Sequence, residues 1–336
     1  MTNLEVASKQ SGGKYSIGLA LPLAEKLAEH LHHRLPGTQV QIDVDILAGC
    51  ADGSKVAQAL ADFSGIDLHA RETDRIAGYL PHRIPFEIIL VQPREFACHL
   101  LTSTGSKAHR NRIMKGLETA PPTSFQNETQ LYQYLDMAYI PPELREDRGE
   151  IEAAREKRLP ELVELRDIKG DLHVHSNWSD GFENLIVLAE AARLRGYEYM
   201  AITDHSQSLP STGGLNPERL SMQARVIDGL NRQQPGLRLL RGIEVDILKD
   251  GSLNLSDADL EQLDVVIASI HSHFRLDRKE QTRRLLRVIE NPHVDIIGHL
   301  TGRMLNKRSG YELDLERILQ AAAQHHKVLE INSHPS

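Results

Sequence analysis

The sequence predicts an α/β fold: a largely parallel sheet or barrel in the C-terminal half, preceded by a smaller domain. Three observations lead there. Six short apolar runs after Gly170 alternate with stretches of helical periodicity, the pattern of repeated strand-helix-strand units. The 336 residues, 40% of them apolar, suffice for two cores at roughly 100 to 200 residues per domain. Between the halves, Ile140-Pro141-Pro142-Glu143-Leu144-Arg145-Glu146-Asp147-Arg148-Gly149-Glu150 combines a double proline with dense mixed charge. Such composition reads as an exposed linker, with a capped helix starting near Pro142 as the alternative for part of it. The expected division is a domain over 1–138, a linker over 139–168 and a domain over 169–336.

Taken in order, the apolar runs are Asp171 to Val174, Tyr199 to Thr203, Leu237 to Ile243, Asp264 to Ile270, Val294 to Ile297 and Val328 to Ile331. Between the first two, Leu185, Leu188, Ala189 and Ala192 recur at helical spacing and Gly196 closes the helix. Asn216-Pro217-Glu218 supplies a cap and a first-turn proline for the next helix, and Ser256-x-x-Asp259 is a capping pattern for another.

Composition narrows the function classes. A formal net charge of −8 argues against a blanket electrostatic grip on nucleic acid and leaves local basic patches open. No apolar run approaches the roughly 18 to 20 residues of a membrane helix, and the N-terminus lacks a basic-then-apolar leader pattern. A cytoplasmic protein without membrane association is expected. Cys50 and Cys98 stand alone in different segments, which offers neither a disulfide framework nor a CxxC knuckle; both are expected as buried thiols. Histidine is the departure, with 17 residues, ten of them after Gly170.

The predicted strands explain that bias. His173 and His175 sit at the end of the first strand, Asp204-His205 after the second, Glu244 after the third, His271 after the fourth and His299 after the fifth. In a parallel barrel these C-terminal ends converge on one rim. A single His near a strand end is more often a hydrogen-bonded structural residue, but five of six ends carrying His or Glu make a constellation. His173-x-His175 on an extended strand points both rings to one side, as two ligands of one centre require. Asp180, in Asn177-Trp178-Ser179-Asp180-Gly181, is either the N-cap of the following helix or a further ligand. Imidazoles and carboxylates without thiolate select Zn²⁺, Mn²⁺ or Fe²⁺ over Ca²⁺. Seven candidates exceed what one tetrahedral ion uses, which implies two or three ions; ions about 4 Å apart can generate a hydroxide and clamp both oxygens of a phosphoryl transfer. Arg275, Arg303, Lys307 and Arg308 follow ligand positions in loops at the same rim. They either grip phosphate oxygens or are solvated loop charge. His273 would line the same side as His271 if that strand continued.

Asp171-Leu172-His173-Val174-His175-Ser176, Ile202-Thr203-Asp204-His205-Ser206, Gly242-Ile243-Glu244-Val245-Asp246, Ala268-Ser269-Ile270-His271-Ser272 and Ile297-Gly298-His299 resemble the successive motifs of the PHP (polymerase and histidinol phosphatase) family, from about Lys169 onward. The resemblance implies a distorted (βα)7 barrel with a trinuclear metal site and phosphoesterase activity. Metal-ligand roles then fall on His173, His175, Asp180, His205, Glu244, His271 and His299, and catalytic roles on His173, His175, Asp204 and Arg303, with Asp204 orienting a ligand. PHP proteins end in an Asp-x-His pair that supplies two further ligands, which Leu329-Glu330-Ile331-Asn332-Ser333-His334-Pro335-Ser336 does not contain. The barrel is therefore expected to be C-terminally incomplete, lacking its last strand, with His334 outside the ligand set.

Thr102-Ser103-Thr104-Gly105-Ser106-Lys107-Ala108-His109 and Tyr139-Ile140-Pro141-Pro142-Glu143-Leu144 resemble the thumb and linker of bacterial family X DNA polymerases, which carry a C-terminal PHP domain. This implies an α+β nucleotidyltransferase palm/thumb-like domain, with Gly105, Ser106 and Lys107 as DNA-binding residues. It also implies Asp43, Asp45 and Glu87 as polymerase carboxylates with Mg²⁺ at the palm. Asp43-Val44-Asp45, on a strand expected over Gln41 to Leu47, alternates so that both carboxylates share a face. The stretch Arg34-Leu35-Pro36-Gly37-Thr38-Gln39-Val40-Gln41-Ile42 holds no Gly-Ser followed by arginines to grip a triphosphate. Positioning and charge neutralisation are nearly all of phosphoryl-transfer catalysis, so weak or no polymerase activity is expected.

The functional expectation is a metal-dependent phosphoesterase with two or three divalent ions, Mn or Zn and alternatively Fe, acting on DNA as a 3′-5′ exonuclease. Two alternatives stand beside it: a small-molecule phosphatase of the histidinol phosphate kind, and a catalytically inactive DNA-binding remnant.

Overall fold

The computed structural model describes residues 26–27, 29–31, 33–34, 39–42, 46–50, 52–118, 125–208, 210–233, 236–304 and 308–332. The chain divides into two compact units, one running to Leu162 and the other spanning Val163–His334.

Among its described residues the first unit holds five strands, β1 (Gln39–Ile42), β2 (Ile46–Gly49), β3 (Asp67–Arg71), β4 (Arg75–Leu80) and β5 (Ile84–Val91). They pair in the order β1-β2-β5-β4-β3, with β2 and β5 parallel and the other pairs antiparallel. Ile84, Phe86, Ile88 and Leu90 alternate along β5 and pack with Val56 and Leu60 of the helix Gly53–Ala61. Each such side chain contributes about 1.5–3 kcal/mol when fully buried. The strand expected over Gln41 to Leu47 is instead two strands, paired antiparallel with Ile42 opposite Ile46. The sequence gives the reason: Ile46-Leu47-Ala48-Gly49 is apolar throughout and buried between two neighbours, whereas the polar-apolar alternation of Gln39-Val40-Gln41-Ile42 suits the sheet edge it occupies. Asp43 and Asp45 lie outside the described residues. Cys50 and Cys98 are free and half-buried rather than buried.

The segment expected as a linker over 139–168 folds largely into this unit, so the boundary falls after Leu162. Pro142–Leu144 makes a 3-10 turn and Glu150–Arg155 an α-helix. Ile140, Ile151 and Ala154 join a core with Leu101, Ile113, Leu131 and Tyr132. Two of the charges, Arg145 and Glu150, are buried and paired internally, whereas Glu143 and Arg148 are exposed. Arg145 is fully buried, donates to the Ile140 carbonyl at 2.9 Å, to Glu128 at 2.8 Å and to Thr104 Oγ1, and lies over the rings of Tyr132 and Tyr139. Glu150, also buried, accepts from Nδ1 of His109 at 2.6 Å and from the backbone N–H groups of Asp147 and Arg148.

The second unit is a curled parallel half-barrel. Its strands β6 (Gly170–Val174), β7 (Tyr199–Ile202), β8 (Arg238–Asp246), β9 (Val265–Ser269), β10 (Ile296–Ile297) and β11 (Val328–Leu329) lie in chain order, all parallel, with β6 and β11 at the edges. Helices occupy the crossovers, as parallel pairing requires. Their predicted punctuation is present: Asn216 accepts from the Arg219 N–H, Ser256 and Asp259 form a reciprocal capping box, and Gly196 has φ +74° at the end of Leu185–Leu194. Alternation along the strands sorts the core. Ile243, Val245, Val266 and Ala268 pack with the helix residues Leu285, Val288 and Ile318, whereas Val265 and Ile267 pack with Ala201 and Ile296. Glu244, between Ile243 and Val245, is thereby turned to the face opposite those helices.

Candidate metal centre

Glu244 is the middle of the site. It is 1% exposed, and five imidazoles converge on its two oxygens: His205 at 3.0 Å, His299 at 3.0 Å, His175 at 3.3 Å, His271 at 3.3 Å and His173 at 3.5 Å. Strand-end placement explains the convergence, because successive parallel strands deliver their C-terminal residues to one rim. His173 lies on β6 and His175 just past it, His205 follows β7, Glu244 is on β8, His271 follows β9 and His299 follows β10.

Asp180 completes one side, 2.9 Å from Nδ1 of His175 and 3.5 Å from Nε2 of His205. It is not the cap of the following helix; Asn184 is, accepting from the N–H groups of Ile186 and Val187. Gly181 lets this loop close, since a Cβ there would come within 2.3 Å of the His175 carbonyl oxygen.

Among the described residues, three overlapping triads have donor atoms all within 4.8 Å of one another: His173, His175 and Glu244; His175, Asp180 and His205; His205, Glu244 and His271. His299 stands outside these triads, 3.2 Å from Nε2 of His271. The donor set fits divalent cations. Nδ1 of His205 is buried and has no hydrogen-bond partner among the described residues although it lies 3.0 Å from Glu244, so the contact has ion-pair distance without hydrogen-bond direction. The facing Nε2 atoms of His271 and His299 can share only one proton between them.

The electrostatics agree. Burial pushes the Glu244 carboxyl up, but His173, His175, His205 and His271 outweigh it and hold the group well below the usual carboxylate range. Burial lowers His173, yet Glu244 and Glu330 push it up to about 10. In the same way Asp246 and Glu244 outweigh burial and push His271 up to about 9. The negative centre at Glu244 draws positive charge from the surrounding imidazoles, and a divalent cation bound there would displace these protons from the ring nitrogens.

Other expected residues sit elsewhere. Asp204 is buried and accepts from Ser176 N–H and Oγ, Ser179 N–H and Oγ, and Gln223 Nε2; it fixes the loop leading to Asp180 rather than an imidazole. Arg303 is exposed in the turn after His299. Arg308 donates to the Gly302 carbonyl at 2.8 Å and lies over the Phe274 ring at 3.9 Å, and Arg275 is exposed. Lys307 and His334 lie outside the described residues. His273 does not continue the strand: β9 ends at Ser269, and His273 has φ +55° and is exposed.

Two carboxylates escaped sequence reasoning. Asp246 accepts from Nδ1 of His271 at 2.7 Å, and Glu330 accepts from Nδ1 of His173 at 2.6 Å. Asp246 was findable as the residue two beyond Glu244 on the same strand face. Glu330 obeys the strand-end rule once the last strand is stopped at Leu329 rather than Ile331.

In the first unit, Glu87 lies on β5 and pairs with Arg75 at 2.7 Å. Ser106 caps the helix Lys107–Leu117 by accepting from the His109 N–H. Gly105 has φ +81°, and a Cβ there would meet Arg145 at 2.4 Å. Thr104, Gly105 and Ser106 are thus seated on the buried arginine, and Lys107 is exposed beyond them.

Residues 171–334 match the model of the PHP domain family. The chain is 35% identical to the DNA polymerase/3′-5′ exonuclease PolX of Bacillus subtilis (strain 168) over 353 aligned positions, 96% of this chain and 62% of that protein. It is 33% identical to a probable phosphatase of Caldanaerobacter subterraneus subsp. tengcongensis over 168 residues, 48% of this chain and 61% of the relative. It is 35% identical to a probable phosphatase of Photobacterium profundum over 167 residues, 48% of this chain and 63% of the relative. The chain spans less than two thirds of the length of each of these relatives.

Proposed function

From residues 171–334, which belong to the PHP domain family, we propose that the chain is a divalent-metal phosphoesterase acting on the 3′ end of DNA. The single observation that carries the hydrolytic reading is the set of three overlapping triads around Glu244. His173, His175, Asp180, His205, Glu244, His271 and His299 would hold two or three ions. Their nitrogen and carboxylate donors suit Mn²⁺ or Zn²⁺, with Fe²⁺ as a third option. When bound, such ions polarise phosphoryl oxygens and acidify water. The chain's own part is to fix the donors: Asp246 and Glu330 hold the Nδ1 atoms of His271 and His173, which leaves each Nε2 directed inward. Asp204 anchors the loop that carries Asp180. Arg303, three residues from Leu300 in the rim turn, would grip phosphate oxygens by charge-assisted hydrogen bonds.

DNA as substrate is supported by the 35% identity that runs through both units to the Bacillus subtilis relative. The helix cap at Ser106, with Lys107 beside it, would meet the DNA backbone. For the palm carboxylates, the ion pair of Glu87 with Arg75 favours little or no polymerase activity. A cytoplasmic setting fits this substrate, and no described helix is long and apolar enough to cross a membrane.

A second reading, hydrolysis of small phosphomonoesters, is favoured by the probable phosphatases that match only 48% of the chain. One experiment separates the readings. Incubation with manganese and a 3′-labelled single strand should release the terminal nucleotide, and His173→Ala should abolish release. Phosphate liberated from phosphomonoesters without any shortening of DNA would establish the phosphatase reading instead. Neither product, together with no retained metal, would establish an inactive chain.

A further inference from the structure

We infer that Glu330 is a positioning residue for the metal centre, setting the ring of His173 and the backbone of His299 with one carboxylate. The inference rests on the metal reading above. Glu330 directly follows β11 at one edge of the sheet, and His173 lies on β6 at the other edge. Oε1 of Glu330 accepts from Nδ1 of His173 at 2.6 Å, and Oε2 accepts from the His299 N–H at 2.6 Å. Both oxygens are therefore committed within the site.

Each bond has a consequence for a ligand. In the neutral ring that a metal would require, a proton held on Nδ1 of His173 leaves the lone pair on Nε2, and Nε2 is the atom that faces Glu244 at 3.5 Å. A carboxylate behind a ligating imidazole fixes its tautomer and raises its basicity. His299 has φ +24°, a conformation L residues rarely adopt and that persists only where surroundings hold it. The Glu330 bond to its N–H is such a hold. The preceding Gly298 leaves the space: a Cβ there would come within 2.3 Å of Ser269 Oγ and 3.7 Å of Glu330 Oε2. One side chain thus joins the two sheet edges and aims two imidazoles at the same carboxylate.

The test uses the full chain, stripped of metal and titrated with MnCl₂ by calorimetry, with the melting temperature of each metal-free form measured alongside. Glu330→Ala should weaken manganese binding about 10- to 100-fold, the range for partners behind a ligand. Glu330→Gln keeps one acceptor oxygen for two donors and should fall between Ala and wild type. In cobalt-substituted protein the visible absorption band should shift in the Ala variant, because the ligand field at His173 changes. Manganese affinity within twofold of wild type in Glu330→Ala overturns the inference, even if the metal-free melting temperature drops, since that pattern describes a strand tie alone. Where Ala does not fold, Glu330→Gln decides, and an unchanged affinity overturns the role. If wild type itself takes up no manganese, the metal reading fails first and the inference falls with it.

Discussion

Nδ1 of His271 lies 2.7 Å from Oδ1 of Asp246, two residues past Glu244 on the same strand. The same aspartate accepts from Ser206 and Ser208, so it is held before it holds the imidazole. Asp246→Asn keeps the shape and removes the charge that supports the ring. Manganese affinity should drop about 10- to 100-fold, read by calorimetry. An unchanged affinity would mean that His271 needs no such support.

Arg145 and Glu128 make a different expectation, about stability. Both are buried and pair at 2.8 Å. Arg145→Met leaves the Glu128 charge uncompensated and should cost about 3–5 kcal/mol in urea unfolding. Adding Glu128→Gln removes that stranded charge and should recover part of the loss. A double variant no more stable than the single one would show that packing against Tyr132 and Tyr139, rather than charge, carries the effect.

These two pairs also show what was legible in advance. The candidate ligand positions follow from a local rule, a polar residue at the C-terminal end of each parallel strand, and neighbouring residues along the chain suffice to apply it. Arg145 does not obey a local rule. Its partners Thr104 and Glu128 lie 41 and 17 residues away, and dense charge beside two prolines looks the same whether it faces water or pairs internally. Glu330 was missed for a third reason. A two-residue strand is too short for periodicity to fix its end, and a two-residue error moved a site carboxylate into an apolar run. The break between β1 and β2 was hidden similarly, since Gln41 to Leu47 alternates well enough for one strand and only the pairing partners reveal two.

Acid should destabilise the first unit through Glu150. Burial pushes this carboxyl up, but the bond with His109 and the backbone N–H groups of Arg148 and Asp147 outweigh it, so the folded value lies below the ordinary 4.5. A carboxylate depressed in the folded state contributes stability above its unfolded value and loses it as pH falls through the folded one. Stability should therefore decline below about pH 4.5, and Glu150→Gln should flatten that limb in denaturant titrations at several pH values. An equally steep acid limb in the variant would assign it to other groups.

Metal addition should stabilise the chain in a graded way set by triad membership. Manganese at 100 times its dissociation constant adds about 2.7 kcal/mol to the folded state, a rise of roughly 5–10 °C in melting temperature for a unit of this size. His205 belongs to two of the three triads and Asp180 to one. His205→Ala should thus abolish most of the manganese-dependent rise, whereas Asp180→Asn should retain a substantial part of it, each read by calorimetry with and without chelator. The order matters more than either number, because both side chains lie in contact with one another and removing either disturbs the same loop. If Asp180→Asn lost as much as His205→Ala, the ions would occupy one cooperative cluster rather than separable triads.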